Sequence, residues 1–435
     1  MLKTETAAAL LALAIGTIAF SGPAFADGLS GDEKKIVASV KSRHEESVAL
    51  LETLVNVNSG SLNIAGVTKV ADRLRPEFEK LGLKVTWTPM TQLGRAGELV
   101  AEHHGGSGKK ILMIAHLDTV FEPDSPFQTF KRTGDTVEGP GVNDIKGGVV
   151  VILDALHALK DAGLLQKANV TVFLSGDEEK PGHPLATARR DLIAAGKASD
   201  LALDFEAMSR EKNQDTIHIG RRGALAWRLS ATGVSGHSSG VGKGGGYGAV
   251  YEVARIVDEF RTELAEPHLT YNTSLIAGGA AAEIDEQATH ATVSGKDNII
   301  AGKAYAAGDV RAQSEEQAER VKKKMQDIVA RHLDQTNAEI SFEEGYPGMA
   351  PTPASQALFD QLGRINVDLG LGALNEGDPD LRGAGDIAFV ANDVPGLVGM
   401  GLAGKGSHAV GETADLTSLD PQAERAAILI ARLSR

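Results

Sequence analysis

Three short apolar runs constrain this chain more than any other feature: ILMIAHLDTV from Ile111, NVTVFLSGDEE from Asn169 and DLALDFEA from Asp200. Helical segments separate them, VVVILDALHALKDAG after the first and LATARRDLIAAG after the second. Strands that are apolar along their whole length are buried on both faces, and strands that alternate with helices lie parallel. The pattern therefore predicts an α/β domain with a mainly parallel, mixed sheet covered by helices on both faces. Upstream, Ile36, Val40, Val48, Leu51 and Leu54 are spaced for one buried face of a helix, VTKVADRLRPEFEKLG is helical again, and LKVTWTPM is extended.

At 435 residues the chain is too long for one ordinary core. From about Arg222 the texture changes to that of a half-exposed antiparallel sheet. GALAWRLSATGV is followed by a glycine-rich loop SSGVGKGGGYG and the helix AVYEVARIVDEFRTEL. Then come the strands TSLIAGG, ATVSGKDNI and AYAAGDVRAQ, a charged helix from Ser314, and the strand AEISFEEGY. This α+β order predicts a smaller domain over 222–345, inserted between a first catalytic part at 27–221 and a second at 346–435. The second part contains the strand GLVGMGLAG and a closing helix from Asp420.

The first 26 residues have Lys3 near the start, an apolar stretch from Ala7 to Phe20 and an AFA tripeptide before Asp27. That is the layout of a secretory signal peptide with cleavage before Asp27, and predicts an exported, periplasmic or secreted protein with no membrane contact afterwards. The net charge of −14 disfavours nucleic acid, which needs a basic surface, and suits cations. Cysteine is absent, so any metal is held by His, Asp and Glu.

His116 and Asp118, two apart on a strand, share one face. Taken alone they read equally as a buried histidine satisfied by a carboxylate or as a functional pair. Polar residues also stand at the other strand ends and nearby turns: Asp144 in GPGVNDIKGG, Glu178 and Glu179 in SGDEE, Glu206 in DFEA, and His408 in GLAGKGSHAVGE. The crevice beyond the carboxyl ends of the strands is where open α/β sheets bind ligands. No basic residue of comparable placement is evident in the sequence, and uncompensated carboxylates repel one another. The donor types suit a pair of zinc ions sharing a bridging carboxylate. Two such ions balance Asp144, Glu179, Glu206 and one hydroxide, which leaves Glu178 free to act as a base.

The ordered set HLDTV, GPGVNDIKGG, SGDEE, DFEA and GSHAVGE, with an α+β insertion before the last, resembles the zinc exopeptidases and amidohydrolases that include glutamate carboxypeptidase, aminoacylases and succinyl-diaminopimelate desuccinylase. The resemblance implies that His116 binds one zinc and that Asp118 orients it from behind. It also implies that Asp144 bridges two zinc ions, that Glu179 and Glu206 are terminal ligands, and that His408 completes the second site. Cobalt and manganese are the substitutes for zinc. A metal-bridged water then attacks an amide carbonyl next to a free carboxylate, with Glu178 as general base. The inserted domain is the family's lid and dimer contact, so a homodimer is expected. The resemblance further implies that His237, in GVSGHSSG, reaches the neighbouring subunit's site and that Asn298 and Arg311 bind the substrate, a small peptide or N-acyl amino acid. Judged alone, Arg311 reads equally as a structural ion pair.

Two departures stand out. The lid loop after His237 is SSGVGKGGGYG where relatives often carry a short proline turn. The late turn, frequently Gly-Gly-Thr-Asp, reads RGAGD, with Gly385 in place of the hydroxyl. Release of a C-terminal amino acid is the first expectation, and aminoacylase or dipeptidase activity the alternative. A periplasmic binding protein is the non-enzyme alternative, although a receptor has no use for six acid/base and imidazole groups at strand ends.

Overall fold

The computed structural model describes residues 28–285 and 288–435. The expected signal peptide and its cleavage site lie outside the described residues. Among the described residues no helix is long and apolar enough to cross a membrane.

The core of the larger domain is a six-stranded sheet in the order Lys84–Pro89, Gly97–His104, Asn169–Ser175, Lys110–His116, Leu201–Asp204 and Gly396–Val398. The last four strands run parallel, and the first two join antiparallel. The Gly97–His104 strand, absent from the sequence expectations, accounts for the mixed character of the sheet. Its sequence GELVAEHH carries Glu98 and Glu102 and ends in two histidines, which conceals a strand whose Leu99 and Ala101 are fully buried.

One face of the sheet is covered by the helices Gly31–Val55, Ile64–Leu81, Lys146–Asp161 and Leu419–Leu433. The first begins with a capping box: Ser30 N–H donates to Glu33 at 2.8 Å while the Glu33 amide donates back to the Ser30 hydroxyl. The Lys146–Asp161 helix packs between the outer two, which explains why it is apolar nearly all round. The opposite face is covered by the shorter helix Arg190–Lys197 and by the 3-10 turn Asp386–Phe389, over Leu112, Ile114 and Phe173.

The inserted domain is a four-stranded antiparallel sheet in the order Thr270–Gly279, Lys303–Arg311, Leu225–Gly233 and Thr336–Phe342. Helices Ala249–Glu263 and Glu315–Val329 pack on one face around Trp227, Phe260 and Met325. The segments that enter and leave this domain run side by side, with antiparallel bridges between Arg221 and Met349 and between Ala224 and Tyr346.

Candidate metal centre

Strand register brings the site together. His116 ends its strand level with Ser175, and Ile114 lies opposite Asp204. Glu178 and Glu179 follow Ser175 by three and four residues, and Glu206 follows Asp204 by two, so all emerge at one edge of the sheet. The Lys146–Asp161 helix lies unusually close to the Glu206 loop. A Cβ at Gly148 would stand 2.0 Å from the carbonyl oxygen of Phe205, so only glycine permits that approach.

Asp144 stands at the centre of the cluster. One of its carboxylate oxygens lies 3.2 Å from His116 Nε2, and the other lies 3.1 Å from His408 Nε2. His408 Nε2 is also 3.1 Å from Glu179, and His116 Nε2 is 3.9 Å from Glu206. In each of two donor sets, His116–Asp144–Glu179 and His116–Glu178–Glu206, the ligand atoms lie within 4.8 Å of one another. Glu179 Oε1 is buried with no hydrogen-bond partner. A buried carboxylate oxygen left unsatisfied among imidazoles and further carboxylates is what a cation site requires, and the donor types suit divalent ions of the zinc kind.

Electrostatics agree. Burial pushes the Glu178 carboxyl well above its ordinary range, and burial likewise raises Glu179. Hydrogen bonds to Asp144 and Glu179 push the His408 imidazole up to about 11. The cluster thus gathers protons where positive charge is wanted.

Asp118 is fully buried behind His116, with Oδ1 3.3 Å from Nδ1. Its carboxylate also accepts from Ser61 Oγ at 2.6 Å and from the amides of Glu178 and Glu179, both at 3.1 Å. The pair therefore does more than orient an imidazole, since Asp118 also fixes the backbone that presents the two glutamates.

Several site residues escaped the sequence reading. Glu412 is fully buried and accepts from three amides of the Asp144 turn: Asn143 at 2.7 Å, Asp144 at 2.9 Å and Gly141 at 3.2 Å. Its position four residues after His408, in the same motif, was the available signal. Lys146 is buried beneath the turn and donates to the Val57 carbonyl at 2.9 Å. The expectation that no basic residue accompanies the carboxylates is corrected by Arg221. Its Nη1 lies 3.3 Å from Asp204 and 3.8 Å from Glu206. It belongs to the connection into the inserted domain, distant in sequence from every motif, so its proximity arises only through the fold. Behind the SGDEE loop, Arg189 bonds Asp177 at 2.7 Å, Asp386 at 2.8 Å and Tyr346 Oη at 2.6 Å. The Tyr346 hydroxyl in turn donates to the Glu178 carbonyl at 2.8 Å.

The three expected lid residues stand apart from this cluster. His237 is exposed at the start of a 3-10 turn, where its Nδ1 faces the Ser239 hydroxyl at 2.8 Å. Asn298 is exposed beside it, its carbonyl accepting from the Ser238 amide at 3.0 Å. Arg311 ends its strand in an ion pair with Asp309 at 2.8 Å. No hydrogen bond or ion pair among the described residues joins these three to the metal-ligand cluster.

An α/β domain with a carboxylate-bridged pair of imidazole sites at its strand ends, interrupted by an α+β lid, defines a class of metal-dependent hydrolases. Residues 112–432 match peptidase family M20/M25/M40, and the chain belongs to that family. It is 26% identical over 417 residues to carboxypeptidase G2 of Pseudomonas sp. (strain RS-16), covering 94% of each chain. It is also 27% identical over 294 residues to the succinyl-diaminopimelate desuccinylase of Gluconobacter oxydans, covering 66% of this chain and 71% of that one. Among solved structures, aminopeptidase PepT from Bacillus cereus superposes with a TM-score of 0.69 at 16% identity, over 90% of this chain and 99% of that one. A dinuclear metal binding peptidase of the M20 family from Bacillus subtilis superposes with a TM-score of 0.63 at 14% identity, over 91% and 99%. The family membership sets aside the receptor alternative.

Proposed function

We propose that the protein is a dinuclear zinc hydrolase that cleaves an amide bond next to a free carboxylate and releases a C-terminal amino acid. The observation that carries this reading is Asp144, whose two oxygens face two different imidazoles at 3.2 and 3.1 Å. One ion would be held by His116, Asp144 and Glu206, the other by Asp144, Glu179 and His408. Bound there, such ions supply Lewis-acid polarisation and a nucleophile at neutral pH.

The chain's own groups do the rest. Glu178, in reach of the same cluster, accepts a proton from the attacking water and delivers it to the leaving nitrogen. Asp118 holds the His116 ring and the Glu178 backbone in place. His237 and Asn298, exposed on the lid, are suited to reach the site of a second copy, where an imidazole donor stabilises the developing oxyanion. The relative named carboxypeptidase G2 supports carboxypeptidase action. Homodimerisation through the lid and export by the N-terminal segment complete the reading.

The test is hydrolysis by the mature chain of N-acyl amino acids, dipeptides and folate-type glutamyl conjugates, with chelator and with added zinc. Chelator-sensitive release of a C-terminal amino acid is the expected result. Turnover that chelation leaves untouched would overturn the reading. Deacylation of N-acyl amino acids alone would move the assignment to the aminoacylase alternative, and cleavage of dipeptides alone to the dipeptidase one.

A further inference from the structure

One cation beside the candidate metal centre has no counter-charge of its own among the described residues. Arg382 follows the 3-10 turn Pro379–Leu381, and its Nη2 donates to the carbonyl of Ala207, next to Glu206, at 2.7 Å. The carbonyls of the next two residues, Gly383 and Ala384, accept from Arg221 at 2.5 and 2.6 Å, and Arg221 reaches Asp204 and Glu206. The turn is thus stitched to the Glu206 loop by two arginines. Arg221 is spent in that work.

Arg382 is not. Its Nε is buried with no hydrogen-bond partner, and its one hydrogen bond among the described residues is to a backbone carbonyl. No ion pair among the described residues includes it, whereas the lid's Arg311 already holds Asp309 at 2.8 Å. His218, 1% exposed and unpartnered at both ring nitrogens, supplies no negative charge; burial and then Arg382 and Arg221 lower its pKa to about 3. The anions whose charge Arg382 feels are Glu206, Asp144 and Asp204. Two of these are committed to metal once the site is loaded, and Asp204 faces Arg221. A largely enclosed guanidinium left in that position is costly unless an anion completes it. Its unpartnered Nε edge offers the geometry in which arginine grips a carboxylate.

We propose that Arg382 binds the free carboxylate of the substrate, from the catalytic-domain side of the site and within the same chain. This deepens the amide-hydrolase reading above and rests on it. The role expected of Arg311 by resemblance passes to the first residue of the RGAGD turn, where this chain departs from the family's pattern.

The test uses the zinc-loaded full chain and the variants Arg382→Gln, Arg382→Lys and Arg311→Gln. The substrates are the N-acyl amino acid that wild type cleaves fastest and its C-terminal carboxamide. Loss of a charge-assisted hydrogen bond predicts that R382Q raises KM for the free acid by about tenfold or more, with kcat little changed. The carboxamide is unaffected, and R382K recovers part of the loss. Equal weakening of acid and carboxamide would overturn the proposal. So would a preference for the acid that disappears in R311Q alone, or a loss that tracks a side-chain carboxylate, glutamate against glutamine. Calorimetric binding of N-acetylglycine and N-acetylglycinamide separates this from the hydrolase reading. If wild type cleaves nothing yet R382Q loses the preference for N-acetylglycine, the hydrolase reading falls and the Arg382 assignment stands; if wild type shows no preference, the assignment falls.

Discussion

Glu412 accepts the backbone amide of Asp144 at 2.9 Å, so the carboxylate that faces both imidazoles is positioned by a second carboxylate with no place in the ligand set. The same Glu412 oxygen takes the Asn143 amide at 2.7 Å. Replacing it by glutamine turns one acceptor into a donor that faces an N–H. Groups that orient metal ligands typically contribute tenfold to hundredfold in affinity, so Glu412→Gln is expected to lower zinc affinity by roughly that factor. Zinc content after dialysis against a graded chelator series measures it. Unchanged retention would remove Glu412 from the positioning of Asp144.

For Glu178→Gln the expectation is different in kind. The amide keeps the shape but takes no proton, so kcat should fall by about 10²–10⁴-fold while both metals remain bound. Metal analysis together with single-turnover hydrolysis checks both halves, and wild-type turnover in the variant would sink the assignment of Glu178 as base.

Glu98 provides a pH dependence remote from the metals. Burial first, then the charges of Asp191 and Asp177, push its carboxyl up to about 8 from an ordinary 4.5; Asp386 adds to this and Arg189 opposes it. The folded state therefore keeps a proton that the unfolded chain releases, and stability falls as pH rises from about 4.5 to about 8. Glu98→Gln, isosteric with the protonated form, should raise Tm most near pH 8 and least near pH 5. Parallel Tm–pH curves for the two proteins would contradict this.

Arg189 neutralises Asp177 and Asp386 in the interior. Removing it strands two buried carboxylates, so Arg189→Met should destabilise the fold by about 3–5 kcal/mol. Denaturant titration of the metal-loaded protein measures this, and a loss below the range of a surface substitution would mean that water enters to replace the guanidinium.

If His237 serves the neighbouring subunit, two separately inactive variants complement each other. Coexpressed Glu178→Gln and His237→Ala chains should form hybrid dimers with activity above either parent, because one of the two sites in the hybrid then has both residues intact. Activity no higher than the parents, with hybrids present by native mass spectrometry, would exclude the trans role.

The clustering of His116, Asp144, Glu178, Glu179, Glu206 and His408 was legible because each sits at the end of an apolar strand or within a glycine-rich turn, and those signals are local. The strand Gly97–His104 was not legible, since Glu98 and Glu102 disguise an element whose Leu99 and Ala101 are core. Arg221, Arg382 and Tyr346 were hidden for another reason. Arg221 and Tyr346 come from the connections to the lid, and nothing in their own neighbourhoods marks them until the sheet brings those segments beside Glu178 and Glu206; Arg382 opens the RGAGD turn, which was singled out for Gly385 and not for its arginine. Arg311 was readable both as a substrate ligand and as an ion pair. In the fold it is paired with Asp309, and that pairing directs attention to Arg382.

The paired segments that carry the lid have a mechanical meaning. Two antiparallel connections bridged at Arg221–Met349 and Ala224–Tyr346 form a narrow two-stranded ribbon. Both ends of that ribbon are tethered at the chemistry, Arg221 against Glu206 and Tyr346 against the Glu178 carbonyl. Any displacement of the lid would therefore act on the Glu206 side chain and on the Glu178 backbone together, so the lid's attachment and the candidate metal centre share one piece of backbone.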